Sequence, residues 1–220
     1  MTYQIEAMKT AIGHCAEKAI FFKPMLTLLD NYSGDGDMGI SVEKGAKALL
    51  VVISSFSGTD IGELFDQCGK RFNQAAASTI GTLISSALFM LGRKFHGKEY
   101  LSEEEILMIP TYMADAISMS GHAKLGDKTI LDSLIPFSET ILLQYNLNGN
   151  LTLASQEAAR VAKEAAKSTR GMIATIGRAK WIGERSRDYP DPGAVLCSIL
   201  IDSVVRPEKD LGYKLPEYER

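Results

Sequence analysis

Three aspartates, Asp30, Asp35 and Asp37, fall within eight residues in the stretch Leu29-Asp30-Asn31-Tyr32-Ser33-Gly34-Asp35-Gly36-Asp37-Met38-Gly39. Carboxylates crowded this closely repel one another, and an apolar core gives them no compensation, whereas a hard cation does. Magnesium takes oxygens from one or two carboxylates at a time and leaves its remaining positions to water and phosphate. Gly34, Gly36 and Gly39 let the backbone come close to a ligand. A helix opening directly behind them adds the positive end of a dipole, which favours phosphate. The spacing therefore predicts a magnesium–nucleotide site. Asp and Gly also build ordinary turns, so an interhelical loop is the competing reading of this short motif. A calcium-binding EF-hand is excluded by register, because the twelfth position counted from Asp35 is Ala46 and the third counted from Asp30 is Tyr32.

Three further loops carry residue types suited to phosphate or nucleoside contacts. Ala77-Ser78-Thr79-Ile80-Gly81-Thr82 sets small hydroxyl residues ahead of a helix, where backbone N–H groups can meet a phosphate or Ser and Thr can simply cap. Gly121-His122-Ala123-Lys124-Leu125-Gly126-Asp127-Lys128-Thr129 precedes another helix, which Asp127 or Thr129 could cap. In the segment from Gly177 to Ser186, Arg178 can grip a phosphate bidentately, stack on a base or pair with a surface carboxylate, and Trp181 reads as a core anchor. Asp191-Pro192-Gly193 follows. Neither G-x-x-x-x-G-K-[ST] nor G-x-G-x-x-G occurs, so a nucleotide site here is built another way. His14, His96 and His122 lie in separate segments and form no metal set, and no serine or cysteine shows a base partner for nucleophilic hydrolysis.

The elements that must position these loops are helical throughout. Ile5, Met8, Ile12, Cys15, Ala19 and Phe22 recur at steps of three and four, and Pro24 kinks or restarts this helix before the acidic loop. Further helices are expected near 40–53, 61–72, 81–95, 106–117, 130–145, 152–169 and 192–200. Asp60 with Glu63, and Ser102 with Glu105, read as capping boxes. Pro192 suits a first turn. The 81–95 segment, apolar nearly all round, is expected to be the central buried helix. No sustained two-residue alternation appears, so no strand is expected. The reading is one all-α domain over 1–220, of eight amphipathic helices, with 206–220 as an extended terminal arm.

With 220 residues, 45% of them apolar, the chain can bury a sizeable core. Its 24 basic and 27 acidic residues give a formal net charge of −3, which offers no footprint for nucleic acid and no polybasic membrane patch. The N-terminus lacks a leader pattern, and the stretch from Ile80 to Leu91 is too short and too interrupted to span a bilayer. Cys15, Cys68 and Cys197 are scattered, as buried thiols in a reducing cytoplasm would be.

Taken together and in order, Asp30 with Gly34-Asp35-Gly36-Asp37-x-Gly39, Ser78 to Gly81, Gly126 to Thr129, Gly177-Arg178-Ala179, Gly183 to Ser186 and Asp191-Pro192-Gly193 resemble the nucleotide-binding subunit of dihydroxyacetone kinases, the DhaL or Dak2-type domain. The resemblance runs from about residue 5 to 205. It implies an antiparallel barrel of eight helices with the nucleotide, ADP or ATP, held among loops at one end. By position, Asp30, Asp35 and Asp37 would hold two magnesium ions. Met38, Gly39, Ile40 and Ser41 would sit close to the nucleotide, as would Thr79 and Ile80. Gly121, Ile130, Arg178, Asp191, Pro192 and Gly193 would surround adenine and ribose.

In that family the ketose is held on a separate subunit, and the phosphoryl group comes either from exchanging ATP or from bound ADP recharged by a phosphocarrier of the sugar phosphotransferase system. A stand-alone chain of this length is more similar to the second type. Expected partners are thus the ketose-binding subunit and the phosphocarrier, with no nucleic acid and no membrane, and with a homodimer left open. Two positions depart from the family pattern. Met38 stands where histidine is usual, and Ile80-Gly81 where a Ser-Gly pair is usual. Neither is a metal ligand, but both alter the polar lining near the nucleotide, so the acceptor could be another small ketose such as a tetrulose. The alternative reading is a non-catalytic nucleotide-binding module that reports to a transcription factor. A third is the ATP-binding half of a fatty-acid kinase.

Overall fold

A computed structural model of the chain describes residues 2–207, which form nine α-helices, one stretch of 3-10 turns and a short two-stranded ribbon. The helices are α1 (Ile5–Phe21), α2 (Lys23–Ser33), α3 (Met38–Ser55), α4 (Ile61–Ala75), α5 (Thr79–Lys94), α6 (Glu103–Gly121), α7 (Leu131–Asn148), α8 (Leu151–Ser168) and α9 (Pro192–Val205). The first two are the expected N-terminal helix, restarted at Phe22 with Pro24 in the first turn of α2, where its missing N–H costs nothing. The ribbon corrects the expectation of no strand. β1 (Thr2–Gln4) pairs antiparallel with β2 (Tyr100–Ser102), placing Tyr3 opposite Leu101. Three-residue strands are too short for a two-residue alternation to register in the sequence. Most of the expected terminal arm, from residue 208 onward, lies outside the described residues.

Caps fix where the helices begin. Ser102 and Glu105 close a full capping box on α6. Asp60 accepts from the Glu63 amide at 3.1 Å, and also from Gly97 N–H at 2.9 Å, which ties the α5–β2 connection to the start of α4. Each helix packs on its neighbour in chain order, from α3 through α9, and α9 packs in turn against α1, whose other side meets α3. The links between them reverse the chain, and Ile80 beside Ile130 and Ile176 brings the start of α5 to the same end as the other three candidate loops. Arg178 meets Asp35, Tyr32 meets Tyr189, and Thr175 meets Asp127.

The most enclosed element is α9 rather than α5. All residues from Pro192 to Ile199 are buried, while α5 exposes Thr82, Arg93 and Lys94 and turns one face inward through Ser85, Leu88 and Leu91. No helix among the described residues is long and apolar enough to cross a membrane. Cys68 and Cys197 are buried and Cys15 nearly so, all as free thiols. Burial raises the pKa of each, to about 11 for Cys15 and about 12 for the other two.

Candidate cation and phosphate site

Asp30 closes the last turn of α2, Asp37 immediately precedes α3, and Asp35 lies on the link between them. One carboxylate oxygen from each lies within 4.8 Å of the other two. Asp30 is 9% exposed and its Oδ2 accepts the Met38 amide at 3.0 Å, which aims the carboxylate across the loop. Asp37 occupies the N-cap position of α3 yet takes no hydrogen bond from that helix with its side chain. The aspartates that cap α4 and α9 both do so, Asp60 from Glu63 and Asp191 from Ala194. The turn-and-cap reading therefore does not account for the carboxylate of Asp37.

The glycines divide between two tasks. Gly36 has φ +77°, and a side chain there would also strike the Asn31 amide. Gly39 lies inside α3, and its need is packing: a Cβ would fall on Thr27 and within 2.5 Å of the Lys23 carbonyl oxygen. It lets α3 press against α2 and so holds the two ends of the acidic loop together.

Across this loop lies the segment 169–191, which contains the 3-10 turns at Arg178–Asp188, broken at Gly183. Its Arg178 guanidinium forms an ion pair with Asp35 and approaches Asp37 at 3.7 Å. Arg178, placed by sequence among phosphate or base contacts, thus lies on the carboxylates themselves. Tyr189 stacks on Tyr32 with centroids 3.9 Å apart and planes 4° from parallel. Trp181 is 88% exposed, which overturns its expected role as a core anchor. Its neighbours in the 3-10 turns, Lys180, Glu184, Arg185 and Arg187, are charged and solvated, so no apolar stripe carries it inward.

Beneath this segment, the loop after α6 forms a rigid base. Asp127 is buried; its Oδ1 accepts from the Thr175 hydroxyl at 2.6 Å and its Oδ2 from the Lys124 amide at 2.9 Å. These bonds to the charged form, the Thr175 contact foremost, hold its pKa below the usual carboxylate value. Asp132 accepts from the amides of Gly126 at 2.7 Å and Thr129 at 2.6 Å. Lys128 is buried in a left-handed conformation, φ +62°. Its ammonium donates to the carbonyls of Met172, Ser186 and Tyr189. The sequence pattern does not reveal this role of Lys128, since it does not show which carbonyls will converge 44 to 61 residues away.

The remaining candidates fall into two groups. Ile80 and Ile130 share an apolar cluster with Leu83, Ala123, Ile176 and Cys197. Gly121 abuts Leu83, and Gly193 lies against the Ile130 backbone. Asp191 caps α9, donates its amide to Thr169 Oγ1 at 2.8 Å, and has its carboxyl pushed up to about 7 by burial; Pro192 is buried behind it. Met38 contributes a backbone N–H and points its side chain into the main core, so it is not a lining side chain. Ile40 and Thr79 are exposed, and the Ser41 amide is taken by the Asp37 carbonyl at 2.9 Å. An all-oxygen donor set converging on a buried carboxylate suits a hard divalent cation, and the Arg178 guanidinium already places positive charge among those oxygens.

These features define a helical protein with a cluster of three carboxylates in the loops at one end, and the chain belongs to the DAK2 domain family, whose profile matches residues 32–206. It is 28% identical over 185 residues to the PEP-dependent dihydroxyacetone kinase, ADP-binding subunit DhaL, of Escherichia coli, covering 84% of this chain and 88% of that one. An L-erythrulose 1-kinase of Mycolicibacterium smegmatis is 32% identical over 180 residues, 80% of this chain but 31% of its own length. The dihydroxyacetone kinase of C. freundii, solved in complex with AMP-PNP and Mg2+, superposes with a TM-score of 0.72 at 19% identity, covering 94% of this chain and 35% of that one. This likeness establishes the shared fold. The chain spans nearly the whole of the DhaL subunit and about a third of the other two relatives.

Proposed function

We propose that this chain is the nucleotide-binding subunit of a dihydroxyacetone-type kinase, a single DhaL-type domain in which eight helices, α1 and α3 through α9, form a barrel with ADP or ATP at the loop end. The observation that carries the reading is the convergence of Asp30, Asp35 and Asp37 in a loop whose Asp37 is not used as a cap. These residues would hold magnesium, two ions by family resemblance. Bound there, the metal would offset the charge of carboxylates and polyphosphate and stabilise the phosphoryl group in transfer.

The protein's own contribution is positioning. The Met38 amide orients Asp30, the first turn of α3 presents a positive dipole to an anion, and Arg178 supplies a guanidinium within reach of whatever the carboxylates hold. Thr79 and Ile80 at the start of α5, with Gly121, Ile130 and the Asp191–Gly193 turn, would border the nucleoside. The acceptor is a small ketose on a partner subunit, and the site recharges from ATP or from a phosphocarrier in the cytoplasm.

The test is phosphorylation of dihydroxyacetone and of erythrulose by the full chain with a ketose-binding partner subunit, supplied with ATP or with the phosphocarrier. The expected result is transfer that requires magnesium and the partner. Tight ADP binding without transfer to any short ketose would contradict the kinase reading and favour a nucleotide-binding regulatory module.

A further inference from the structure

Lys128 is a cation that the proposed reaction does not use. It is 2% exposed, and it sits in a left-handed backbone conformation that a non-glycine residue adopts only when its surroundings impose it. An ammonium has three hydrogens to donate, and here three carbonyls take them, those of Met172, Ser186 and Tyr189. That leaves no donor for a phosphate. The three carbonyls bracket an arc of chain with Arg178 inside it. The arc is also closed at its base, by Gly171 N–H to the Arg187 carbonyl at 2.9 Å and by Ala174 N–H to Ser186 Oγ at 3.2 Å. At its far side, Arg178 pairs with Asp35 and Asp37.

We infer that Lys128 is a positioning residue: it acts through the backbone of residues 172–189 to keep Arg178 on Asp35 and Asp37, so that a divalent cation must compete with a tethered guanidinium. This rests on the reading of the acidic cluster as a metal site. Arg178 then neutralises the carboxylates before metal arrives, and it stays beside the site once displaced because Lys128 holds the backbone rather than the side chain.

The test is binding of Mn2+ alone, without nucleotide, to the full chain by electron paramagnetic resonance. Arg178→Gln, at an exposed side chain, and Lys128→Met are each expected to tighten Mn2+ binding by about fivefold, the worth of one partly exposed ion pair. The double variant should bind no more tightly than Arg178→Gln, because Lys128 acts only through Arg178. Fluorescence anisotropy of Trp181, the single tryptophan and itself on the arc, should fall in Lys128→Met and hold in Arg178→Gln. If Lys128→Met does not fold, Lys128→Gln, whose amide offers two donors in place of three, is expected to move both readouts in the same direction by a smaller amount. Unchanged Mn2+ affinity in Arg178→Gln, or a further gain in the double variant, overturns the inference. Asp37→Asn separates the two failures: Mn2+ binding unaffected by that change overturns the metal site itself.

Discussion

Asp191 shows how one side chain can cap a helix at odds with its own charge. Burial drives its carboxyl up to about 7, with Asp132 pushing the same way and the Ala194 amide and Lys128 pulling against it. The native state therefore keeps a proton that the unfolded chain releases near pH 4. Between about pH 4 and about pH 7 the folded form binds more protons, so this residue makes stability fall as pH rises. Asp191→Asn retains a capping oxygen and removes the titration. The variant should gain in melting temperature relative to the wild type on going from about pH 5 to about pH 7.5; parallel melting curves at both values would contradict this. The sequence made Asp30, Asp35 and Asp37 legible because like charges at short spacing have few reasons to exist. Lys128 was not legible, since its partners are backbone carbonyls and every residue has one. Trp181 misled because its size argues for burial while its charged neighbours, which decide the matter, carry no periodic signal.

Among the elements, the α2–α3 junction bears most directly on the site. Gly39 lets the two helices meet with backbone against backbone, and the acidic loop is short enough to feel any change in their separation. Gly39→Ala should destabilise the chain by about 1–3 kcal/mol, read as a lower urea midpoint, because the added methyl meets Lys23 carbonyl oxygen and Thr27 with nowhere to relax. A neutral result would mean that the helices are not in such close contact. Helix positions and the α6 capping box were readable from the 3.6-residue period and from Ser102 with Glu105. Which helix lies innermost was not. The apolar run of α5 looked central, but Ser198, Asp202 and Ser203 of α9 are buried polar residues, and a sequence pattern counts them as surface. The β1–β2 ribbon escaped notice because pairing between residues about a hundred positions apart leaves no local trace.

For the molecule as a whole, α9 joins the proposed site to the core: it starts at the Asp191–Gly193 turn and packs against α1, α7 and α8. Leu196 on it is fully enclosed. Leu196→Ala should cost about 3 kcal/mol and lower the melting temperature by about 10 °C, a drop that would be absent if α9 were peripheral. The arrangement of helices brings four separated loops to one end, and the proposed function depends on what the carboxylates there hold. The most direct measurement is calorimetric ADP binding with and without magnesium, for the wild type and for an Asp35→Asn, Asp37→Asn variant. Magnesium should tighten binding strongly in the wild type and hardly at all in the variant. Equal affinities for the two proteins, with magnesium present, would contradict the cation-and-phosphate site and the function built on it.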